Sequence, residues 1–272
     1  MFPAPAKTVV FVHGAWVTVT SWNAFRRPFE AAGYRVLTPT WPGLDGLTAD
    51  QINRAPPAGL GGLTVGAILD HLQAFIEALP EPPLLVGHSF GGMFVQKLLD
   101  RGVGAAAVAL NPVLIGGVVP GPTTLGAALP ILARCNAWNR PYAFTRARFA
   151  HRYANGAPKA QQDEAYDSYV IPAPGRIFFQ AASWIGTRID PARRTQPLLI
   201  TGGDQDRLVT PYLSRSAYEI QKRSPAPTDF KLFSGRSHLL IAEPGWDEVA
   251  AQALEWAERH YAPAAPPLAA TG

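Results

Sequence analysis

The 272-residue chain has little of what several protein classes require: it contains one cysteine, two methionines and only 16% charged residues. The lone Cys135 excludes a disulfide framework and any cysteine-based zinc site. No apolar run approaches the roughly 18 residues of a membrane-spanning helix. The apolar stretch near the amino terminus is too short for a secretory signal and continues into a strand-like segment. We therefore expect a cytoplasmic protein without a membrane span.

Positive charge is concentrated in one part of the chain. The sequence has 24 Lys and Arg residues against 20 Asp and Glu, a net charge of +4, which is too small to indicate nucleic-acid binding. Residues 112–194 carry ten basic and four acidic residues, whereas the rest of the chain carries 14 and 16. Two interpretations stay open: the arginines pair with acids elsewhere on the protein, or they attract an anionic substrate.

Short apolar runs alternate with amphipathic segments along most of the chain. The predicted strands are 8–12, 34–37, 84–86, 105–110, 198–201 and 230–233. The predicted helices are 21–32, 65–79, 90–99, 213–221 and 246–260. Strands that alternate with helices predict an α/β fold, in which helices cover both faces of a mostly parallel sheet of about six strands.

Three stretches depart from this alternation. Residues 45–62 are polar and rich in Gly and Pro, which predicts a loop. Residues 112–194 combine Pro, Gly, Arg and aromatic residues without a strand pattern, so we interpret them as a helical insertion after the fourth strand. Residues 263–272 form a Pro/Ala-rich segment, which predicts a flexible tail. The expected core is then formed by residues 1–111 and 195–262.

The strongest local motif is Gly87-His88-Ser89-Phe90-Gly91, which fits the pattern G-x-S-x-G. It lies directly after one predicted strand and directly before a predicted helix. A serine on such a sharp turn needs small neighbours because the backbone there is crowded. The turn lifts the hydroxyl above the sheet edge, at the positive end of the helix. This placement makes Ser89 a candidate nucleophile.

A serine nucleophile needs a base, and the base needs an acid that orients it. Of six histidines, His238 follows a predicted strand, at the edge of the sheet where Ser89 emerges. His88 is adjacent to Ser89, so its side chain is expected to point away from the nucleophile. Asp206 follows the strand 198–201 and is the preferred acid, whereas Asp204 is expected to bond the turn. The fourth strand ends in Asn111-Pro112 and offers no competing carboxylate.

The developing negative charge of such a reaction needs backbone N–H donors. Phe90, the residue after the serine, supplies one of these donors. The segment His13-Gly14-Ala15-Trp16 ends the first strand at the same sheet edge, and Ala15 is its preferred donor. These residues predict an oxyanion hole formed by Ala15 and Phe90.

Together these motifs resemble the α/β-hydrolase superfamily. VFVHGAW is similar to its oxyanion strand, LLVGHSFGG to its nucleophile elbow, TGGDQDRLVTP to its acid turn and GRSHLLIAEPGW to its histidine loop. The resemblance covers about residues 8–111 and 195–260 and implies a sheet of six parallel strands. It also implies that residues 112–194 form a helical cap, and that Ser89, Asp206 and His238 form a catalytic triad that needs neither metal nor organic cofactor.

The reaction is less well defined by this resemblance. A serine at position 89 argues against the dehalogenases and epoxide hydrolases of the superfamily, which have aspartate there. The motifs are similar to small methylesterases and to hydroxynitrile lyases, but the additional cap lysine of the lyases has no clear counterpart, because Lys159 lies in a polar stretch. Hydrolysis of an ester or lactone is the preferred interpretation. A cofactor-free lyase and a ligand-binding receptor on the same scaffold stay open as alternatives.

Specificity is expected to come from aromatic residues of the insertion and of the oxyanion loop. The candidate substrate-binding residues are Trp16, Trp138, Phe144 and Trp184, which predict a pocket for a fairly apolar small molecule of small to medium size. Glu243 and Asp247 are interpreted as caps of the last helix. The glycines at 59–62 lack the spacing of a nucleotide-binding loop, and the oligomeric state is left open.

Overall fold

The computed structural model describes residues 7–261, which are built around a parallel sheet. The strands are β1 (Thr8–Val12), β2 (Arg35–Leu37), β3 (Leu84–His88), β4 (Ala106–Leu110), β5 (Pro141–Tyr142), β6 (Ala173–Pro174), β7 (Leu198–Gly203) and β8 (Thr228–Phe233). Six of them form one sheet in the order β2-β1-β3-β4-β7-β8, and every neighbouring pair is parallel. The predicted α/β fold with a parallel sheet of six strands is confirmed.

Helices cover both faces of this sheet. They are α1 (Arg26–Ala31), α2 (Ala49–Arg54), α3 (Val65–Glu77), α4 (Phe90–Asp100), α5 (Pro122–Leu132), α6 (Arg146–Arg148), α7 (Lys159–Tyr169), α8 (Gly175–Ala182), α9 (Pro211–Gln221) and α10 (Trp246–His260). Alternating residues of β1 point to opposite faces, as strand geometry requires. Phe11 packs with residues of α1 and α10, whereas Val10 and Val12 pack with residues of α3, α4 and α9.

Two local predictions are wrong. The expected loop at 45–62 contains α2, which begins after Thr48 in a capping box with Gln51; this reciprocal bonding stabilises a short helix in a polar sequence. The expected helix at 21–32 is divided into a 3-10 turn at Val19–Trp22 and α1. No helix within residues 7–261 is long and apolar enough to cross a membrane. The predicted tail at 263–272 lies outside the described residues.

The chain between β4 and β7, residues 111–197, is here called the connecting segment. It contains α5 to α8 together with the two-stranded antiparallel sheet of β5 and β6, so the expectation of a segment without strands is wrong. Within the described part of the chain, the ion pairs made by its basic residues are internal: Arg146 and Lys159 bind Asp163, and Arg146 also binds Asp167. These basic residues therefore do not pair with acids of the remaining protein.

Candidate active site

Ser89 lies on the turn between β3 and α4. Its backbone has φ 59° and ψ −120°, in a region that residues other than glycine rarely adopt. A Cβ on Gly87 would lie 2.1 Å from the Gly91 carbonyl oxygen, and a Cβ on Gly91 would lie 2.0 Å from the Val12 carbonyl oxygen. The two glycines of G-x-S-x-G are therefore a steric requirement of this turn.

The structure brings Ser89, His238 and Asp206 into one chain of hydrogen bonds. His238 Nε2 lies 2.9 Å from Ser89 Oγ, and His238 Nδ1 lies 2.6 Å from Asp206 Oδ2. Ser89 follows β3, Asp206 follows β7 and His238 follows β8, so parallel strands deliver all three to the same sheet edge. An ionised Asp206 only accepts hydrogen bonds, so Nδ1 of His238 carries the proton and Nε2 is free to accept the serine proton.

The Asp206 carboxylate is held by four donors. Oδ1 accepts hydrogen bonds from the backbone N–H groups of Leu208 (2.7 Å) and Val209 (2.8 Å). Oδ2 accepts from His238 and from Asn111 Nδ2 at 2.8 Å. Asp204 has a different role, since it accepts from a hydroxyl and a backbone N–H in the turn after β8. The local bonding thus favours Asp206 as the partner of His238.

Two neutral rings pack against His238. The His88 Nε2–H donates to the His238 carbonyl oxygen at 2.7 Å, and its ring centroid lies 4.8 Å from the His238 ring. The Tyr153 ring meets His238 edge-on at 4.7 Å. Burial, reinforced by neighbouring His238, lowers the His88 pKa well below its ordinary value, and burial raises the Tyr153 pKa. His238 is thereby oriented by groups that do not compete for its proton.

The loop after β1 lies beside Ser89. A Cβ on Gly14 would lie 2.7 Å from the Ser89 Cβ and 3.3 Å from its Oγ, so only glycine permits this approach. In the described part of the chain, the backbone N–H groups of Ala15 and Phe90 have no hydrogen-bond acceptor. Two free donors next to the serine hydroxyl are what an oxyanion hole requires.

An apolar cavity of about 90 Å³ opens at Ser89 and His238. Its walls come from the oxyanion loop, the elbow, α5, α8 and the loop after Asp206. Apart from Ser89, His238 and Thr124, the lining side chains are apolar. Within residues 7–261, no Lys, Arg, Asp or Glu lines this cavity. Among the residues described, the basic side chains of the connecting segment therefore lie outside this cavity wall.

Of the four aromatic residues predicted to bind substrate, Trp16 lines the cavity. Phe144 packs against Trp16 with a centroid distance of 4.4 Å. Trp184 donates its indole N–H to the Val118 carbonyl, and Trp138 is exposed and stacks with the Arg176 guanidinium. These three lie outside the cavity wall, because contacts within the connecting segment occupy Trp138 and Trp184 and the contact with Trp16 occupies Phe144. The wall of the cavity that α5 forms consists mainly of aliphatic residues, which are smaller than these aromatic ones.

Three residues near the site are missed by the sequence analysis. Asn111 binds Asp206, and Tyr153 packs on His238 although 85 positions separate the two in the chain. Glu243 is buried and accepts hydrogen bonds from the backbone and the hydroxyl of Ser237. The interpretation of Glu243 as a helix cap is wrong, because Gly245 is the N-cap residue of α10. Asn111 alone had a signal in the sequence, a polar residue at the end of the central β4.

In the described residues, no group of three or more His, Cys, Asp or Glu side chains has an arrangement that fits a metal ion. The site geometry instead consists of a hydroxyl, an imidazole, a carboxylate and two free amide donors around an apolar cavity. These groups are suited to nucleophilic attack on a carbonyl carbon followed by proton transfer through His238.

Comparison with known proteins places these features in context. Residues 9–252 match the Alpha/beta hydrolase family. A carbendazim hydrolyzing esterase from Nocardioides sp. (strain SG-4G) is 26% identical over 246 residues, 88% of each protein. A monoacylglycerol lipase from Paleococcus ferrophilus aligns over 96% of this chain and 97% of its own, with a TM-score of 0.66 and 22% identity. A methylesterase from Arabidopsis covers 93% and 99%, with a TM-score of 0.67 and 18% identity. The two structures establish a shared fold.

Proposed function

Because this chain belongs to the Alpha/beta hydrolase family, we propose that it is a serine hydrolase that cleaves a carboxylic ester or lactone. The observation that carries the proposal is the hydrogen-bonded series Ser89, His238 and Asp206 at the mouth of an apolar cavity. Ser89 is the nucleophile, His238 the general base and acid, and Asp206 the group that orients His238. Ala15 and Phe90 form the oxyanion hole.

The reaction proceeds by acyl transfer. His238 Nε2 removes the Ser89 proton while Oγ attacks the ester carbonyl carbon, and the carbonyl oxygen takes up negative charge beside the Ala15 and Phe90 amides. The bond to the leaving alcohol then breaks, and His238 returns the proton to the alcohol oxygen. Water attacks the acyl-enzyme in the same way, releasing the acid and restoring the Ser89 hydroxyl.

The cavity supports a neutral, apolar substrate of small to medium size. Its wall is aliphatic and aromatic, with polar side chains confined to the reacting end and Thr124. A charged substrate group would lose its hydration there without gaining an ionic partner. We assign the connecting segment, including the predicted insertion at 112–194, the role of a cap, since α5 and α8 form much of the wall.

The experiment is hydrolysis of p-nitrophenyl esters of increasing acyl length, with lactones and carbendazim in the same panel because a relative is named for hydrolysing carbendazim. Ser89→Ala is expected to lower kcat by at least about 10⁴-fold on every substrate cleaved. Ser168→Ala is the matched control, since this exposed serine lies away from the cavity. Turnover that survives in Ser89→Ala protein overturns the nucleophile assignment.

The alternative lyase chemistry has less support. Its extra lysine would have to be Lys159, whose ammonium is exposed and paired with Asp163 and which does not line the cavity. A cyanohydrin panel tests this alternative directly. Tight binding of an ester or lactone without measurable turnover by the wild-type protein would instead favour the receptor alternative.

A further inference from the structure

A second carboxyl group lies buried behind His238. Glu243 lies in the histidine loop, five positions after His238, and is 1% exposed. Its Oε1 accepts the Ser237 backbone N–H at 2.6 Å, and its Oε2 bonds the Ser237 hydroxyl. Both contacts are with the residue that immediately precedes His238. A carboxylate this deeply buried is costly unless such hydrogen bonds compensate for the lost hydration.

Ser237 connects this carboxyl group to the triad. Its carbonyl oxygen accepts a hydrogen bond from Asn111 Nδ2 at 3.1 Å, and the same amide group donates to Asp206 Oδ2 at 2.8 Å. Ser237 is therefore held at its N–H and hydroxyl by Glu243, and at its carbonyl by the Asn111 amide that also holds Asp206. Displacement of Ser237 would move His238 relative to both Asp206 and Ser89.

The connecting segment closes the other side of Glu243. A Cβ on Gly156 would lie 2.5 Å from Glu243 Oε2 and 3.2 Å from the Ser237 Cβ. The Ser237 hydroxyl also lies 3.3 Å from the Tyr153 carbonyl oxygen. The carboxyl group thus has little room to adopt another position, and its bonds to Ser237 have a defined geometry.

We propose that Glu243 is a positioning residue for His238, which holds the Ser237 peptide so that the imidazole reaches both Ser89 and Asp206. The inference rests on the proposed function, because it assigns a supporting role in the same reaction. Glu243 does not touch the substrate cavity, so its loss acts on the rate of the chemical step and leaves substrate binding nearly unchanged.

The burial of Glu243 makes a neutral amide a suitable replacement for its carboxyl group. Burial raises the Glu243 pKa, and Arg236 opposes this while Asp206 adds to it; Glu164 and Tyr169 line a second, polar cavity that also borders Glu243. Glu243→Gln keeps a carbonyl acceptor for the Ser237 N–H, so it is expected to recover most of the rate that Glu243→Ala loses.

The experiment compares Glu243→Ala, Glu243→Gln and, as control, Glu248→Gln, which changes an exposed carboxylate paired with Arg236. Kinetics with a p-nitrophenyl ester are measured on folded protein, well below each melting temperature. Glu243→Ala is expected to lower kcat roughly tenfold, as loss of a hydrogen bond to a charged group does, with KM within about twofold. Glu243→Gln restores most of kcat, and Glu248→Gln behaves as wild type.

Two further measurements separate this inference from the proposed function. The rate of Ser89 phosphonylation by an alkyl phosphonate reports on His238 without turnover, and the low-field proton resonance of His238 Nδ1–H reports on its bond to Asp206 without any reaction. If wild-type protein neither cleaves esters nor reacts with the phosphonate, the proposed function fails. The His238 Nδ1–H resonance alone then tests the positioning role of Glu243. If Glu243→Ala protein has the same His238 resonance and the same rates as wild type, the positioning role of Glu243 is overturned. If Glu243→Ala does not fold, Ser237→Ala replaces it, with a smaller loss of kcat expected.

Discussion

The peptide between Gly14 and Ala15 is held by a histidine that does not line the substrate cavity. His13 Nδ1 lies 2.9 Å from the Gly14 carbonyl oxygen, and because a carbonyl only accepts, the imidazole donates. The carbonyl and the N–H of a trans peptide point in opposite directions. By fixing the Gly14 carbonyl, His13 therefore directs the Ala15 N–H away from itself. His13 also stacks on Trp41 at 4.9 Å, which keeps the ring in place.

We therefore predict that His13→Ala lowers kcat by about tenfold, less than the roughly 10²–10³-fold that complete loss of an oxyanion donor costs, and leaves KM within about twofold. His13→Asn is expected to recover part of the rate because its amide N–H can replace Nδ1. Steady-state kinetics on one ester give both constants. His71→Ala, on the half-buried side of α3, is the control. A rise in KM at constant kcat would contradict the argument.

Local signals group the proposed reacting residues but do not reveal the residues packed behind them. Ser89, Asp206 and His238 each follow an apolar strand, and parallel strands end at one sheet edge, so the sequence alone was sufficient to group them. Tyr153 reaches His238 from a distant segment without any repeating pattern. Glu243 looks like a cap because it precedes a helix, and only its burial in three dimensions reveals its contact with Ser237.

At the scale of elements, strands were predicted better than the connections between them. The strands of the parallel sheet are continuous apolar runs, because both of their faces are buried. In contrast, the polar helix α2 is stabilised by a capping box that starts at Thr48, a signal that is present in the sequence but was masked by surrounding Gly and Pro. The sequence also could not show which aromatic residues of the connecting segment line the cavity, since composition does not tell which side of a helix faces it.

Helix α5 forms one wall of the cavity. Thr124, Ala128 and Ile131 are among its lining residues, whereas Leu129 points outward and is 61% exposed. The small side chains of Ala127 and Ala128 on this wall leave space for a substrate. The width of the cavity therefore depends on which residue of α5 occupies an inner position.

We predict that Ala128→Phe narrows the range of substrates. The added ring occupies space for several methylene groups, each worth about 0.8 kcal/mol of binding, so kcat/KM for octanoate esters should fall by roughly tenfold or more. Acetate esters should change by less than about threefold. Leu129→Phe adds a ring to the outer side of the same helix and serves as the control. Equal losses for short and long esters in Ala128→Phe would contradict binding of the acyl chain beside α5.

At the scale of the whole molecule, two histidines in the core next to the active site are neutral. His13 is 1% exposed, and burial lowers its pKa from 6.5 to about 4; burial also lowers the His88 pKa well below its ordinary value. The unfolded chain binds a proton at each of these positions near pH 6.5, whereas the folded protein does not. Acid therefore favours the unfolded state, and the loss of stability begins as the pH falls below about 6.5. Glu243 opposes this trend, because its raised pKa makes the folded protein take up a proton first.

We predict that the free energy of unfolding falls by about 2 kcal/mol from pH 7 to pH 5 because of His13 alone. This value follows from a His13 pKa near 6.5 in the unfolded chain and about 4 in the folded protein. Urea unfolding followed by circular dichroism at both pH values measures this loss. His13→Asn cannot take up the proton, so its loss over the same interval should be smaller by about that amount, even if its stability at pH 7 is lower. His71→Asn should keep the wild-type dependence. If His13→Asn and wild type lose equal stability, the folded protein admits a proton at His13 or a compensating group nearby, and the imidazole is less isolated from water than its burial implies.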